Sequence, residues 1–115
     1  MSPQKPGTAL VWREDLPIQF TREVVPRRVQ VLRLDGVAVV NVYAPSGSSC
    51  KEEREELFSG ELALALRGLG REIDVIAAGD WNCVLRPRDV ERDFQSKFSL
   101  ALSGLVKGFK FKAIS

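Results

Sequence analysis

The stretch Asp74-Val75-Ile76-Ala77-Ala78-Gly79-Asp80-Trp81-Asn82 restricts the folds open to this chain more than any other. Residues 75–78 are apolar without alternation, the pattern of a strand covered on both faces in an α/β protein. Gly79 lets the backbone turn, and Asp80 and Asn82, two positions apart, can point the same way while Trp81 points elsewhere. A second β-branched run, Val37-Ala38-Val39-Val40-Asn41-Val42-Tyr43-Ala44, is stopped by Pro45, which cannot continue a ladder. It releases Asn41 and Tyr43 at its carboxyl end. A helix lies between the two runs. Strand–helix–strand crossovers are nearly always right-handed and often leave their strands parallel. Ligand sites in open α/β sheets form at the carboxyl ends of strands. Tyr43, Asp80 and Asn82 are therefore expected on one edge of one sheet, where a carboxylate with an amide partner suits a hard cation and a phosphate ester.

The intervening helix is expected over residues 49–69. Ser49 precedes Glu52 by three positions, the spacing of a capping box. Phe58, Leu62, Ala65, Leu66 and Leu69 then form one apolar stripe. Gly68 or Gly70 ends the helix. Glu52, Glu53, Glu55 and Glu56 read as a solvated face that complements the helix dipole. Arg54 continues the stripe toward the N-terminus and has two readings: a guanidinium tying down a carboxylate or loop carbonyls, or a direct phosphate contact.

The first third reads as four strands, residues 8–13, 18–23, 28–34 and 37–43, separated by Leu16-Pro17, Val25-Pro26 and Asp35-Gly36. Asp35-Gly36 is a hairpin signal that makes the third and fourth antiparallel neighbours. A short helix is expected over residues 99–107, and the alternating end Gly108-Phe109-Lys110-Phe111-Lys112 reads as a strand or a frayed tail. At 115 residues the chain predicts one domain. It carries no apolar run long enough to span a bilayer and no secretory leader. Cys50 and Cys83 make neither a metal cluster nor a disulfide framework, which together with the missing leader suggests an intracellular setting. The net charge of +2 does not announce a nucleic-acid binder. Residues 92–115 nevertheless carry five basic side chains and one acidic. The chain contains no histidine.

Asn41-Val42-Tyr43-Ala44-Pro45-Ser46 followed by Gly79-Asp80-Trp81-Asn82 resembles the endonuclease/exonuclease/phosphatase superfamily. With Trp81 and the following Val84-Leu85-Arg86-Pro87-Arg88-Asp89 it is similar to the endonuclease domain of LINE-type retrotransposons. Gly7-Thr8-Ala9-Leu10-Val11-Trp12 also looks like a family strand, so the resemblance covers residues 7–109. It implies magnesium-assisted attack of water on a phosphodiester, with DNA as partner. Asp80 would orient or deprotonate the water, Asn82 would hold the scissile phosphate or a metal-bound oxygen, and Tyr43 would donate its hydroxyl to a phosphate oxygen. Arg54, Arg86 and Arg88 are the accompanying phosphate-binding candidates. The metal ligands stay unassigned.

The family places a metal-binding Glu upstream of the strand matched by residues 8–12, and ends with an Asp-bearing strand and an Asp-His pair. Neither is found in this sequence. The expectation is an incomplete domain over residues 1–115: a partial four-layer α/β sandwich, with one mixed sheet and a covering crossover helix. In function it is a truncated relative of a magnesium-dependent phosphodiesterase or DNA endonuclease of retrotransposon type, inert alone. The alternatives are a non-catalytic phosphate or nucleic-acid binding module, and a plain interaction domain in which Asp80 only forms a strand-end turn. A half-sandwich would also leave one sheet face open to self-association; no membrane is expected as a partner.

Overall fold

The computed structural model describes residues 9–83 and 99–112. The chain forms a small α/β fold with a four-stranded mixed sheet and helices, and it divides into two units. One comprises Met1–Tyr43 with Arg67–Asp80, the other Ala44–Leu66 with Trp81–Ser115.

The first unit is built on strands β1 (Phe20–Val25), β2 (Val29–Leu34), β3 (Val37–Tyr43) and β4 (Asp74–Asp80), in the spatial order β1-β2-β3-β4. β1 and β2 are antiparallel and meet through a turn in which the Arg28 amide donates to the Val25 carbonyl at 2.9 Å. Pro26 pre-sets the backbone of that turn, and Arg27 takes a positive φ of 62°. β2 and β3 are antiparallel across the two-residue Asp35-Gly36 loop, with Gly36 at φ 74°, as the hairpin signal predicts. β4 then returns parallel to β3, the arrangement a helical crossover permits. Its first amide, on Asp74, donates to the Gly36 carbonyl at 2.8 Å.

The pleat sorts the side chains. Ala38, Val40 and Val42 of β3 are buried, whereas Val37, Val39, Asn41 and Tyr43 on the opposite face are half-buried. Val29 and Val31 of β2 lie opposite Val42 and Val40 and are buried on the same face. Fully burying a valine side chain is worth roughly 1.5–3 kcal/mol, so this row is the main apolar contribution of the unit.

Two expectations are corrected. Residues 9–13 form no strand; Val11 is 93% exposed and Trp12 is 43% exposed. Their apolar run has no ladder partner, and β propensity without a paired surface specifies little. The sheet thus takes three strands from the first third of the chain. β4 is also not covered on both faces: Val75 and Ala77 are half-buried, and Asp74, Ile76 and residues 78–80 are exposed. Among the described residues β4 has a neighbour on one side only, and its small Ala77, Ala78 and Gly79 carry little apolar area to bury.

In the second unit a 3₁₀ turn (Ser48–Cys50) leads into α1 (Lys51–Leu57), a π-helical turn (Phe58–Leu62) and the start of α2 (Ala63–Gly68), whose residues 67 and 68 belong to the first unit. The expected capping box is not formed. The N-cap of α1 is Cys50 and no side chain caps it, because the 3₁₀ turn moves the helix start past Ser49. Phe58, Leu62, Ala63 and Leu66 are buried, while Ala65 and Leu69 of the expected stripe are only half-buried. The wider π turn adds a residue, and after it Ala63 joins Leu62 and Leu66 on the buried face. α3 (Leu100–Gly108) follows the expected boundaries within a residue, with Ser99 as its N-cap accepting from the Leu102 amide at 3.0 Å. Residues 109 and 110 form a turn, and residues 111 and 112 form no strand.

Candidate functional site

The ladders place residues on the sheet in rows. β2 and β3 meet at a two-residue loop, so positions equally distant from it lie side by side: Val29 faces Val42 and Gln30 faces Asn41. One step further, the Tyr43 amide donates to the Arg28 carbonyl at 2.7 Å, putting Arg28 beside Tyr43. On the other side Tyr43 is the register partner of Asp80 in the parallel β3–β4 pair. Arg28, Tyr43 and Asp80 therefore form the terminal row of three adjacent strands. At ~4.8 Å per strand, the outer two are separated by about 10 Å at the backbone.

Below it the rows change character. Gln30, Asn41 and Ala78 come next, with the Asn41 side-chain amide donating to the Ala9 carbonyl at 3.3 Å and to Gln30 Oε1 at 3.4 Å. Asn41 thus satisfies a backbone group. Leu32, Val39 and Ile76 make the following row, which is apolar. The face is polar at the carboxyl end of β3 and β4 and apolar behind it.

Within the terminal row, the Arg28 guanidinium carbon lies 5.2 Å from the centroid of the Tyr43 ring. Arg28 Nη1 also donates to the Tyr43 carbonyl at 3.3 Å. A guanidinium over an aromatic face is worth about 0.5–1 kcal/mol at an exposed site and holds both side chains in register. Asp80 is exposed and Tyr43 half-buried. Gly79 next to Asp80 is required by packing: at φ 140° a methyl group there would overlap the Val42 carbonyl. It serves a close approach of two backbones and not the turn that the sequence suggests.

In the second unit, the Asn82 side-chain amide donates to the Ala44 carbonyl at 2.7 Å. Asn82 takes a positive φ of 51°, a conformation that asparagine tolerates better than most residues. Trp81 packs on the fully buried Phe58, with ring centroids 6.1 Å apart and planes at 50°. Arg54 is 2% exposed, and its Nη1 donates to the carbonyls of Pro45 and Gly47 at 2.9 and 3.1 Å. It clamps the loop that follows Tyr43 in the sequence, the first of its two readings. Arg86 and Arg88 lie outside the described residues.

The two motifs therefore come together once in each unit, as Tyr43 with Asp80 and as Ala44 with Asn82. Arg28 is the residue that the motif reading misses. Its signal lies in the hairpin register: seven residues back from the Asp35-Gly36 loop along one strand is Arg28, and seven residues on along the other is Tyr43.

Among the described residues no three of His, Cys, Asp and Glu come together as metal ligands. Magnesium demands near-octahedral oxygen ligation, and one exposed carboxylate beside a phenol does not supply it. The described residues do not by themselves make a resident magnesium site. No helix among them is long and apolar enough to cross a membrane. No protein-family model, curated protein or solved structure matches the chain.

Proposed function

We propose that this chain is a relative of the phosphodiester-cleaving endonuclease/exonuclease/phosphatase superfamily, of LINE retrotransposon type, that handles nucleic-acid phosphate and does not hydrolyse it alone. The observation that carries this reading is the pairing of Tyr43 with Asp80 at the carboxyl ends of two parallel strands. That is where open α/β sheets bind ligands. The Tyr43 hydroxyl donates to a phosphate oxygen, and the Asp80 carboxylate accepts from a water beside it. The chain has no histidine to shuttle a proton, and the described residues build no magnesium cage, so the described residues form no complete hydrolytic set. Binding without cleavage is the function these residues support.

The test is binding of a short single-stranded DNA by the full chain, alongside nicking of supercoiled DNA with magnesium. Binding weakens as salt rises, because phosphate contacts release counterions. Tyr43→Phe weakens binding. Asp80→Asn strengthens it by up to about fivefold, since a like charge is removed and exposed charge pairs are worth roughly 0.2–1 kcal/mol. Absence of binding, or indifference to both substitutions, overturns the reading. Nicking that is lost in Asp80→Ala and with a chelator overturns its non-catalytic part.

A second reading concerns self-association of this chain. Ile76 is 56% exposed on a strand that is unpaired along one edge among the described residues. Such an edge is a template for pairing with another chain.

A further inference from the structure

We propose that Arg28 and Tyr43 act as one oxyanion-binding unit, with Arg28 as the residue that positions the Tyr43 ring and supplies charged donors to a phosphate group. The inference rests on the reading of Tyr43 as a phosphate contact and adds a partner that the motif does not contain. Three observations carry it. The guanidinium sits over the Tyr43 ring at 5.2 Å and is tethered by Nη1 to the Tyr43 carbonyl, so its plane is set before any ligand arrives. Among the described residues it makes no other hydrogen bond and no ion pair, which leaves Nε and Nη2 as donors on a half-buried side chain. The preceding residue, Arg27, holds φ 62° in the turn that delivers Arg28 to the sheet end. A non-glycine residue in that region costs roughly 1–2 kcal/mol, and such strain clusters at functional positions.

The chemistry follows from the row. A planar fork with two donors fits two oxygens of a phosphate, and the phenol adds a neutral donor next to it. Asp80 stands on the far side of Tyr43, about 10 Å from Arg28 at the backbone by two strand spacings. The row therefore has a cationic pole and an anionic pole with the phenol between them. A phosphate seats at the Arg28 pole, away from Asp80. The class of ligand is a phosphodiester or a phosphate monoester.

The experiment titrates isotopically labelled full-length chain with a short single-stranded DNA and, separately, with inorganic phosphate. The nuclear magnetic resonance signals of the Tyr43 ring and the Arg28 Nε–H are followed. Tyr43 is the single tyrosine, so its ring is read without overlap from another. Both probes shift both signals. Arg28→Gln weakens DNA binding about tenfold, the loss expected for charge-assisted hydrogen bonds. Arg28→Lys keeps the charge and the fold but not the fork, and recovers only part of the affinity. Arg27→Gln removes the same charge one residue away and changes binding by less than about threefold, as an exposed charge does. Equal losses in Arg28→Gln and Arg27→Gln, or full affinity in Arg28→Lys with no shift at the Tyr43 ring, overturn the proposal. In that case Tyr43→Phe still weakens binding if the broader reading holds. Wild-type chain that binds neither probe overturns both.

Discussion

At Gly79 the backbone of β4 passes so close to that of β3 that any side chain would overlap the Val42 carbonyl. The φ of 140° is also open almost only to glycine. Gly79→Ala is expected to lower stability by about 2–3 kcal/mol or more, read by denaturant unfolding, from backbone strain and the clash together. Ala78→Gly, one residue earlier and exposed, serves as the control and should lose no more than roughly 1 kcal/mol. A loss in Gly79→Ala no larger than in the control would show that β3 and β4 separate easily. At this scale the sequence points to residues more readily than to the reason for them. Asp80, Asn82 and Tyr43 stand out from their strand-end spacing. Gly79 stands out too, but only the neighbouring strand reveals why it must be glycine. Arg28 stands out only through hairpin register, a relation between strands and not a local motif.

Among the elements, α1 and α3 are joined by a contact that helix periodicity does not reveal. Glu55 Oε2 accepts from the Ala101 amide at 2.8 Å, at the N-terminal end of α3, while Ser99 caps the same turn. A carboxylate at a helix N-terminus satisfies an orphan amide and opposes the positive end of the dipole. Glu55 is thus an anchor between two helices, and the solvated reading holds only for Glu52, Glu53 and Glu56, which are exposed. Glu55→Ala is expected to cost about 1–2 kcal/mol and to raise amide hydrogen exchange in α3 before the rest of the chain. Uniform exchange across all elements would argue that α3 is held by its apolar residues alone. Strands β1 to β3 were readable because Pro26 and Asp35-Gly36 punctuate them. Phe58, Leu62 and Leu66 of the expected stripe are buried, and Ala65 and Leu69 are only half-buried, because a π turn leaves no period of its own in a short stripe.

For the molecule as a whole, the apolar row behind the candidate site sets the expected behaviour in solution. Leu32 is buried, Val39 is half-buried and Ile76 is 56% exposed, so the row opens toward the β4 edge. Concentration-dependent self-association is expected in sedimentation velocity. Ile76→Lys should suppress it, since an edge charge is a common barrier to strand pairing. A wild-type chain that stays monomeric at all concentrations would remove that reading and leave phosphate binding untouched. The sequence announced an α/β chain with a helical crossover, and the four-stranded mixed sheet meets it. It could not announce which strand would lie at the edge, because an apolar run reads alike whether one side or both are paired.

The two units alternate along the polypeptide, which passes between them at Tyr43–Ala44, Leu66–Arg67 and Asp80–Trp81. The shortest continuous stretch that holds Arg28, Tyr43 and Asp80 together is residues 28–80, and it carries the Ala44–Leu66 part of the other unit with it. A gene is cut and rejoined as a line. No single recombination event can therefore donate the strand-end row to another protein without also donating α1 and its π turn. Descent of this row should be traceable by the helix that travels with it.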